Sequence, residues 1–313
     1  MKNAFLFPGQ GAQHVGMGRD LYGAAAAGKE YFDRAEAATG LPIKRLCSEG
    51  PEEELSRTDI AQPAIFTVAA ALLAHMQNYL SPEQWQRIRP LYLAGLSLGE
   101  YTALYAAGCM DFETGVRLVA RRGELMQQAA TAVPSGMVAV MGLDEAKAWE
   151  LCRAAAEGQV LTCANFNAPG QIVLSGEAAA CDRAVGLAEQ FGASGAVVLK
   201  VAGAFHSEIM RPAAEKLSEA IDDIRFKDPR LCVVSNVDGK LYRGASEIKG
   251  KLLAQLVSPV RWQQCIELLL AEGTEGCYEV GPGRVLAGLM RRIDCNTRVT
   301  CVNSLEAVEK LVE

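Results

Sequence analysis

The sequence predicts an α/β protein whose parallel sheet is interrupted by a smaller inserted unit. Short apolar runs typical of buried strands alternate with longer segments of helical periodicity, which is the pattern of parallel sheets covered by helices. Between residues 131 and 201 the predicted order changes to β-α-β-β-α-β, and the simple alternation resumes afterwards. The middle segment is therefore predicted to be an insertion.

Two structural units follow from this order. The large unit is discontinuous and comprises residues 1–130 and 202–313, whereas residues 131–201 form a small unit with the element order of a ferredoxin-like fold. The chain has 313 residues with 50% hydrophobic content, which is enough to build both cores.

The large unit begins with a predicted strand over residues 4–7, followed by the turn-rich segment Pro8-Gly9-Gln10-Gly11. Before the insertion we also expect a strand over residues 91–94 and helices over residues 29–39, 64–77, 100–107 and 112–130. Gln62-Pro63 is typical of a helix start, because the first helical turn leaves its N–H groups unpaired and proline has none.

The remaining elements complete the predicted alternation. In the inserted unit we predict strands over residues 136–141, 160–164, 171–174 and 196–201, and helices over residues 144–156 and 178–191. Beyond it we predict helices over residues 207–221, 249–256, 262–271 and 285–293, and strands over residues 231–235, 277–280 and 298–302. Asp111, Asp144 and Asp182 fit best as residues at helix starts.

Composition narrows the choice of partners. The net charge of −6 and the lack of a basic run argue against nucleic acid. The N-terminal segment lacks a signal-like apolar core, and the most apolar stretch, Ala64–Met76, carries His75, so we expect no membrane span and a cytoplasmic location. None of the ten cysteines lies in a C-x-x-C pair, which favours reduced, buried thiols over a metal site.

The motif Gly95-Leu-Ser-Leu-Gly99 lies between a predicted strand and a predicted helix. In this setting G-x-S-x-G is a nucleophile elbow, a tight turn that exposes a serine hydroxyl at the positive end of the following helix. The two glycines relieve crowding around the strained residue between them. Ser97 is therefore the candidate nucleophile.

A serine nucleophile needs a base to accept its proton, and the chain has three histidines. His206 follows a predicted strand, where α/β sheets build their sites, and it is the favoured base. His14 follows the loop of the first strand and is the second candidate, whereas His75 lies within a predicted helix. No acidic residue between Ser97 and His206 stands out as a third member, so a dyad oriented by a main-chain carbonyl or an amide stays open.

Two further features concern the substrate. The main-chain N–H of Leu98 is one candidate donor to an oxyanion, and the loop over residues 8–11 is the candidate source of a second. Arg122 lies on a helix that is otherwise largely apolar on that face. From the residues alone, a structural ion pair with Glu100 or Glu124 is favoured over a clamp on an acidic substrate.

Seven short motifs, each present once, follow one another along the chain. They are Phe7-Pro-Gly-Gln-Gly-Ala-Gln13, Gly95-Leu-Ser-Leu-Gly-Glu-Tyr101, Arg121-Arg-Gly123, Asn165-Phe-Asn-Ala-Pro-Gly170, Ala204-Phe-His-Ser207, Gln255 with Pro259-Val-Arg-Trp262, and Glu279-Val-Gly-Pro-Gly283. Together they resemble the malonyl-CoA:acyl carrier protein transacylases of bacterial type II fatty acid synthesis, over essentially the whole length.

The resemblance implies a hydrolase-like large unit, a ferredoxin-like small unit and an active site between them. It implies Ser97 as the nucleophile, His206 as the base, and the main-chain N–H groups of Gln10 and Leu98 as the oxyanion hole. It also implies that Arg122 binds the malonyl carboxylate, against the ion pair favoured above.

Two more residues take roles from the resemblance. Gln255 matches the position that helps to orient the histidine, through a main-chain carbonyl in place of a triad acid. Phe205 lies in the pattern Ala-Phe-His, where a bulky ring would crowd an α-methyl group, which implies malonyl over methylmalonyl. The chain departs from many members at Leu96, where they have histidine. This removes a competing histidine beside Ser97.

The implied activity is ping-pong transfer of a malonyl group from malonyl-CoA to the phosphopantetheine thiol of acyl carrier protein, with no metal or redox cofactor. We expect a monomer with a basic docking patch for an acidic carrier protein. The candidate patch residues are Lys249, Lys251, Arg284, Arg291 and Arg292. Two other interpretations stay open: a thioesterase or esterase, which does not need Arg122, and a non-catalytic module that binds the carrier protein.

Overall fold

The computed structural model describes residues 2–312. Within them the strands are β1 (Asn3–Phe7), β2 (Pro90–Gly95), β3 (Ser135–Met141), β4 (Leu161–Ala168), β5 (Gln171–Glu177), β6 (Gly195–Val198), β7 (Cys232–Val233), β8 (Gly276–Val280) and β9 (Val299–Val302). The helices are α1 (Arg19–Ala24), α2 (Ala26–Thr39), α3 (Ile43–Glu49), α4 (Glu52–Leu55), α5 (Thr58–Tyr79), α6 (Pro82–Ile88), α7 (Leu98–Ala106), α8 (Phe112–Ala132), α9 (Glu145–Ala156), α10 (Ala178–Leu187), α11 (Arg211–Asp222), α12 (Ala245–Val257), α13 (Trp262–Ala271), α14 (Val285–Ile293) and α15 (Leu305–Glu309).

The larger sheet is parallel, with the strand order β7-β2-β1-β8-β9. Its centre is β1, whose residues are all buried. Because β1 and β2 run side by side with Phe7 opposite Gly95, the loops that follow the two strands leave the sheet next to each other. This register places the loop after Phe7 beside the Ser97 turn.

A second sheet is antiparallel, with the order β4-β5-β3-β6. Helices α9 and α10 pack on it and enclose a separate apolar cluster that includes Leu151, Cys163 and Leu174. The prediction of a mixed α/β protein with a parallel sheet is therefore confirmed, and a separate antiparallel sheet accompanies it. The unit boundaries at residues 130/131 and 201/202 stay predictions.

The buried helix α5 differs from its predicted bounds. It begins at Thr58, so Pro63 lies inside the helix rather than at its start. Proline forfeits one backbone hydrogen bond, but most of α5 is buried, and packing rather than local propensity stabilises such a helix. By length and composition alone α5 is apolar enough to cross a membrane, but 83% of its apolar window is buried inside the protein, as in a core helix. The expectation of no membrane span is therefore not contradicted.

Most predicted helices and strands are present, although their ends are shifted. The predicted bounds agree best with the structure in the segment after the insertion. Helices α13 and α14 have their predicted bounds. Asp111 and Asp144 accept hydrogen bonds from main-chain N–H groups at the starts of α8 and α9, as predicted. Asp182 lies inside α10, so its predicted role at a helix start is wrong. The short helices α1, α3, α4, α6 and α15 are absent from the prediction, because short segments carry little periodicity.

The cysteines are free thiols within the described residues, and most of them are buried, as predicted. Cys295 is the exposed exception. Over residues 2–312, no group of three or more His, Cys, Asp or Glu side chains is placed to hold a metal ion. The expected absence of a cofactor stays a prediction.

Candidate active site

The turn between β2 and α7 holds Ser97 in a strained backbone conformation, with φ of 51° and ψ of −102°. Both flanking glycines are required by close backbone contacts. A Cβ at Gly95 would lie 1.9 Å from the carbonyl carbon of Gly99, and a Cβ at Gly99 would lie 2.1 Å from the main-chain oxygen of Phe7. The sequence thus folds here as a nucleophile elbow, because the two positions exclude any side chain.

The Ser97 hydroxyl lies within hydrogen-bond distance of two of the predicted site residues. Its Oγ is 2.8 Å from His206 Nε2 and accepts a hydrogen bond of 3.0 Å from Arg122 Nη2. His206 Nδ1 lies 2.7 Å from the main-chain oxygen of Gln255. Since a carbonyl can only accept, Nδ1 carries the proton and Nε2 is free to accept the serine proton. The structure therefore brings Ser97, His206, Arg122 and Gln255 together as predicted.

The environment of His206 favours the neutral imidazole. Burial, reinforced by the nearby positive charge of Arg122, lowers the pKa of His206 to about 4, although the Gln255 carbonyl opposes this shift. A neutral imidazole is the form that accepts a proton. The main-chain carbonyl of Gln255 lies where the acidic residue of a Ser-His-Asp triad would contact the histidine.

The other two histidines lie elsewhere. His14 is exposed, and its Nδ1 lies 3.3 Å from the main-chain oxygen of Ala12. His75 is half-buried on α5 beside the ring of Tyr79. The structure thus places His206, and not His14, beside Ser97, which favours His206 as the base.

Arg122 is a buried cation without an acidic partner among residues 2–312. Its Nη1 donates to Gln62 Oε1 at 2.7 Å and its Nη2 to Gln255 Oε1 at 2.8 Å, while its Nε has no hydrogen-bond partner there. Glu124 pairs with Arg121 instead, at 2.6 Å. The ion pair favoured from the residues alone is wrong: amide oxygens surround the guanidinium, and its charge is left uncompensated by direct contact.

The two predicted oxyanion donors lie where the elbow and the β1 loop meet. The Leu98 N–H is at the first position of α7, where helices leave their N–H groups unpaired. Within the described part of the chain neither this group nor the Gln10 N–H has a hydrogen-bond partner. The side chain of Gln10 is fixed by a hydrogen bond of 3.3 Å to Thr58 Oγ1.

Sequence reasoning missed a second layer of polar side chains beneath Ser97. Asn236 accepts a hydrogen bond from the Ser97 N–H at 2.7 Å and donates to the Gly95 oxygen at 2.8 Å, so it braces the strained turn from both sides. Gln255 Nε2 donates to the Ser97 carbonyl at 3.0 Å. Asn236 lies 139 positions from Ser97 along the chain, and no local motif signals its contact.

A cavity of about 630 Å³ opens above these residues. The loops and helices around the large sheet contribute Gln10, Ser97, Arg122 and His206, and the small sheet contributes a wall. The wall residues from β4 and β5 are Asn165, Asn167, Gln171 and Val173. Phe205 also lines the cavity and is only 6% exposed. The cavity thus has the placement that the sequence implied, between the two sheets.

The predicted docking residues separate into two groups. Lys249 forms an ion pair with Asp222, and Lys251 lies 3.2 Å from both Asp238 and Glu247. The arginines are exposed and lie on or beside α14, the helix whose Val285 and Leu289 line the cavity. These are Arg284, Arg291 and Arg292. The arginines therefore remain the better candidates for a docking surface, because the two lysines are already paired with acids.

Comparisons with known proteins agree with this geometry. The family model described as acyl transferase domain matches residues 4–293. The chain is 42% identical to the malonyl CoA-acyl carrier protein transacylase of Bacillus subtilis strain 168, over 100% of its own length and 96% of the relative's. The chain belongs to the malonyl CoA-acyl carrier protein transacylase family. It is therefore an acyltransferase.

Other members of the transacylase family are similar over nearly the full length. The transacylase of Escherichia coli strain K12 is 41% identical, with 99% of this chain and 98% of the relative covered. The solved transacylase of Coxiella burnetii superposes with a TM-score of 0.93 at 37% identity, covering 99% of this chain and 96% of that chain. A malonyl-transacylase solved with a type II PKS acyl-carrier protein superposes with a TM-score of 0.91 at 38% identity, covering 99% of both chains.

Proposed function

We propose that the protein transfers a malonyl group from malonyl-CoA to the phosphopantetheine thiol of acyl carrier protein by a ping-pong mechanism through a malonyl-serine. The observation that carries the proposal is the placement of Arg122. Its buried guanidinium has no acidic partner among the described residues and lies 3.0 Å from the Ser97 hydroxyl. A carboxylate on the acyl group is the complement of such a cation.

In the first half-reaction Ser97 Oγ attacks the thioester carbon while His206 Nε2 takes the serine proton. The carbonyl oxygen becomes an oxyanion, which the N–H groups of Gln10 and Leu98 stabilise. The C–S bond then breaks, and His206 returns the proton to the CoA thiolate. The acyl carboxylate rests on Arg122, and the product is a malonyl ester on Ser97.

In the second half-reaction the same groups work in reverse order. The phosphopantetheine thiol of the carrier protein gives its proton to His206 and attacks the ester carbon. The oxyanion forms again at Gln10 and Leu98, the C–O bond breaks, and His206 protonates Ser97 Oγ. The main-chain carbonyl of Gln255 keeps the imidazole in the required tautomer throughout.

The remaining expectations belong to the same proposal. We assign a hydrolase-like fold to residues 1–130 and 202–313, and a ferredoxin-like fold to residues 131–201, on the element order of each. We retain a cytoplasmic monomer without a metal or redox cofactor. Phe205 is assigned to selection against an α-methyl group, because its ring lines the cavity.

The proposal is tested by the intact mass of the protein after brief mixing with malonyl-CoA. We expect an adduct of malonyl mass that Ser97→Ala abolishes and that holo acyl carrier protein removes. Steady CoA release without an adduct would identify a thioesterase instead. Neither adduct nor release would leave a non-catalytic binding module.

A further inference from the structure

Glu100 is a buried carboxylate that the proposed reaction does not use. It lies on α7, three residues after Ser97, and its side chain has no exposed surface. Its Oε1 accepts hydrogen bonds from the Tyr242 hydroxyl at 2.6 Å and the Asn236 N–H at 3.3 Å, and its Oε2 accepts one from Gln255 Nε2 at 2.5 Å. Among residues 2–312 no basic side chain pairs with it directly.

The side-chain amide of Gln255 lies between this anion and the buried cation Arg122. Its Nε2 faces the carboxylate of Glu100 at 2.5 Å, and its Oε1 faces Nη2 of Arg122 at 2.8 Å. An amide flip would place its NH₂ against the guanidinium and its oxygen against the carboxylate, two repulsive contacts. The two charges, together with the Ser97 carbonyl that also accepts from Nε2, therefore fix a single orientation of the amide.

We propose that Glu100 is a positioning residue, which holds Arg122 in place for the acyl carboxylate by fixing the side-chain amide of Gln255. The inference rests on the proposed malonyl transfer and adds a residue to it. Glu100 touches no reacting atom in this arrangement; it acts through Gln255. The carboxylate form does this because both of its oxygens only accept hydrogen bonds, whereas a protonated carboxyl gives up part of that capacity.

The protonation of Glu100 provides a way to test its positioning role, through the pH dependence of acyl selectivity. Burial raises the pKa of Glu100 to about 7, although the hydrogen bonds from Tyr242 and Gln255 oppose the rise. The nearby titratable and charged groups are Tyr101 on α7, Arg122 on α8, Cys265 on α13, Tyr242 on the segment before α12, and His206 beside Ser97. Burial raises the pKa of Tyr101 to about 12 and raises the pKa values of Cys265 and Tyr242 well above their ordinary values, so those three groups stay neutral at pH 7.

The sign of the expected pH dependence follows from these groups. Below pH 7 Glu100 takes up a proton and loses its hold on Gln255, while His206, with a pKa of about 4, stays neutral. We therefore expect kcat/KM for malonyl-CoA, divided by kcat/KM for acetyl-CoA, to fall as the pH is lowered through about 7. Acetyl-CoA carries the same nucleotide, so titration of the CoA phosphates cancels in the ratio.

The experiment measures this ratio between pH 5.5 and 8.5 in the wild type and in Glu100→Gln. The substitution keeps the size of the side chain and removes its charge. We expect the ratio at pH 8 to drop about tenfold and its dependence on pH to disappear. A ratio and a pH profile that match the wild type would overturn the inference.

Two further variants separate positioning from a structural effect. Glu279→Gln removes another buried carboxylate, which caps α14 through the N–H groups of Leu286 and Ala287, and should leave the ratio unchanged. Tyr242→Phe keeps the Glu100 carboxylate but removes one donor to it, so the midpoint of the profile should move to higher pH. An unmoved midpoint would contradict the inference even if Glu100→Gln did not fold. If the wild type itself showed no preference for malonyl-CoA, the proposed function would fail instead.

Discussion

The two sheets contribute to the cavity in different ways. On the large-sheet side Ser97 itself has fixed partners: Asn236 accepts from the Ser97 N–H, Gln255 donates to the Ser97 carbonyl, and Arg122 donates to the Ser97 hydroxyl. The groups left without a partner there, among residues 2–312, include the main-chain N–H groups of the two predicted oxyanion donors. On the small-sheet side the side-chain oxygens of Asn167 and Gln171 are buried at the cavity wall without a partner among the described residues.

This difference indicates that the large-sheet side carries out the reaction and that the small-sheet side binds the substrate. Groups that must be oriented for bond making are held by several hydrogen bonds each, which is the preorganisation that catalysis requires. The wall, by contrast, lines the cavity with amide side chains that no such network holds among the described residues. We therefore expect substitutions on the large-sheet side to lower kcat or acyl selectivity, and substitutions on the wall to raise KM.

The largest effect is expected at the base. His206→Ala should slow acylation of Ser97 by about 10²–10⁴-fold, because the serine proton then has no acceptor. His14→Ala is the matched control, since it removes an exposed histidine, and it should react at the wild-type rate. With acetyl-CoA as donor, the wild-type rate should fall only as the pH approaches 4, where His206 becomes protonated. Stopped-flow release of CoA measures the acylation rates of the two variants and the pH dependence of the wild type. An equal loss of acylation rate in the two variants would refute the assignment of His206 as the base.

The next effect concerns acyl selection. Arg122→Ala should weaken the preference for malonyl-CoA over acetyl-CoA by about 2–5 kcal/mol, or roughly 30- to 5,000-fold, since it removes the buried partner of the carboxylate. Arg121→Ala removes a neighbouring exposed arginine that pairs with Glu124, and it should leave selectivity intact. Competition between the two donors in one reaction gives the ratio directly. A preference retained in Arg122→Ala would show that the clamp lies elsewhere.

The small unit should show its effect in stability. Leu174 is fully buried in the separate core beneath the second sheet. Leu174→Ala should lower the free energy of unfolding by about 2–5 kcal/mol, because it leaves a cavity there. Val197→Ala, on the exposed strand β6, is the control and should change it by less than about 0.5 kcal/mol. Urea denaturation measures both, and similar losses would show that the second core is not packed as described.

The smallest expected effect is on the wall. Asn167→Ala removes an acceptor that lines the cavity, so KM for malonyl-CoA should rise about fivefold with kcat nearly unchanged, as for the loss of one hydrogen bond. Steady-state kinetics shows whether the substitution changes KM or kcat. A fall in kcat at constant KM would break the separation between the two sides of the cavity.

The sequence predicts most reliably what is encoded locally. The elbow is predictable because its glycines and serine lie within five residues of one another, and Asp111 and Asp144 are recognisable because a helix start needs an acceptor within three residues. His206 is predictable because it follows the end of an apolar segment. The start of α5 is missed because burial overrides the usual meaning of Pro63.

Contacts between distant segments are not predictable in this way. Glu100 and Arg122 suggest an ion pair along the sequence, yet in the fold the Gln255 amide lies between them, 155 positions from Glu100. The partners of Arg122, Gln62 and Gln255, come from helices α5 and α12. Only the packing of those helices decides which polar groups meet, and neither helix carries a local signal for it.

The most direct test of the proposed site is a crystal structure of the malonylated enzyme. We expect a malonyl ester on Ser97 Oγ whose carboxylate contacts the Arg122 guanidinium and whose carbonyl oxygen faces the N–H groups of Gln10 and Leu98. An ester whose carboxylate pointed to the wall at Asn167 and Gln171, with Arg122 uncontacted, would contradict it.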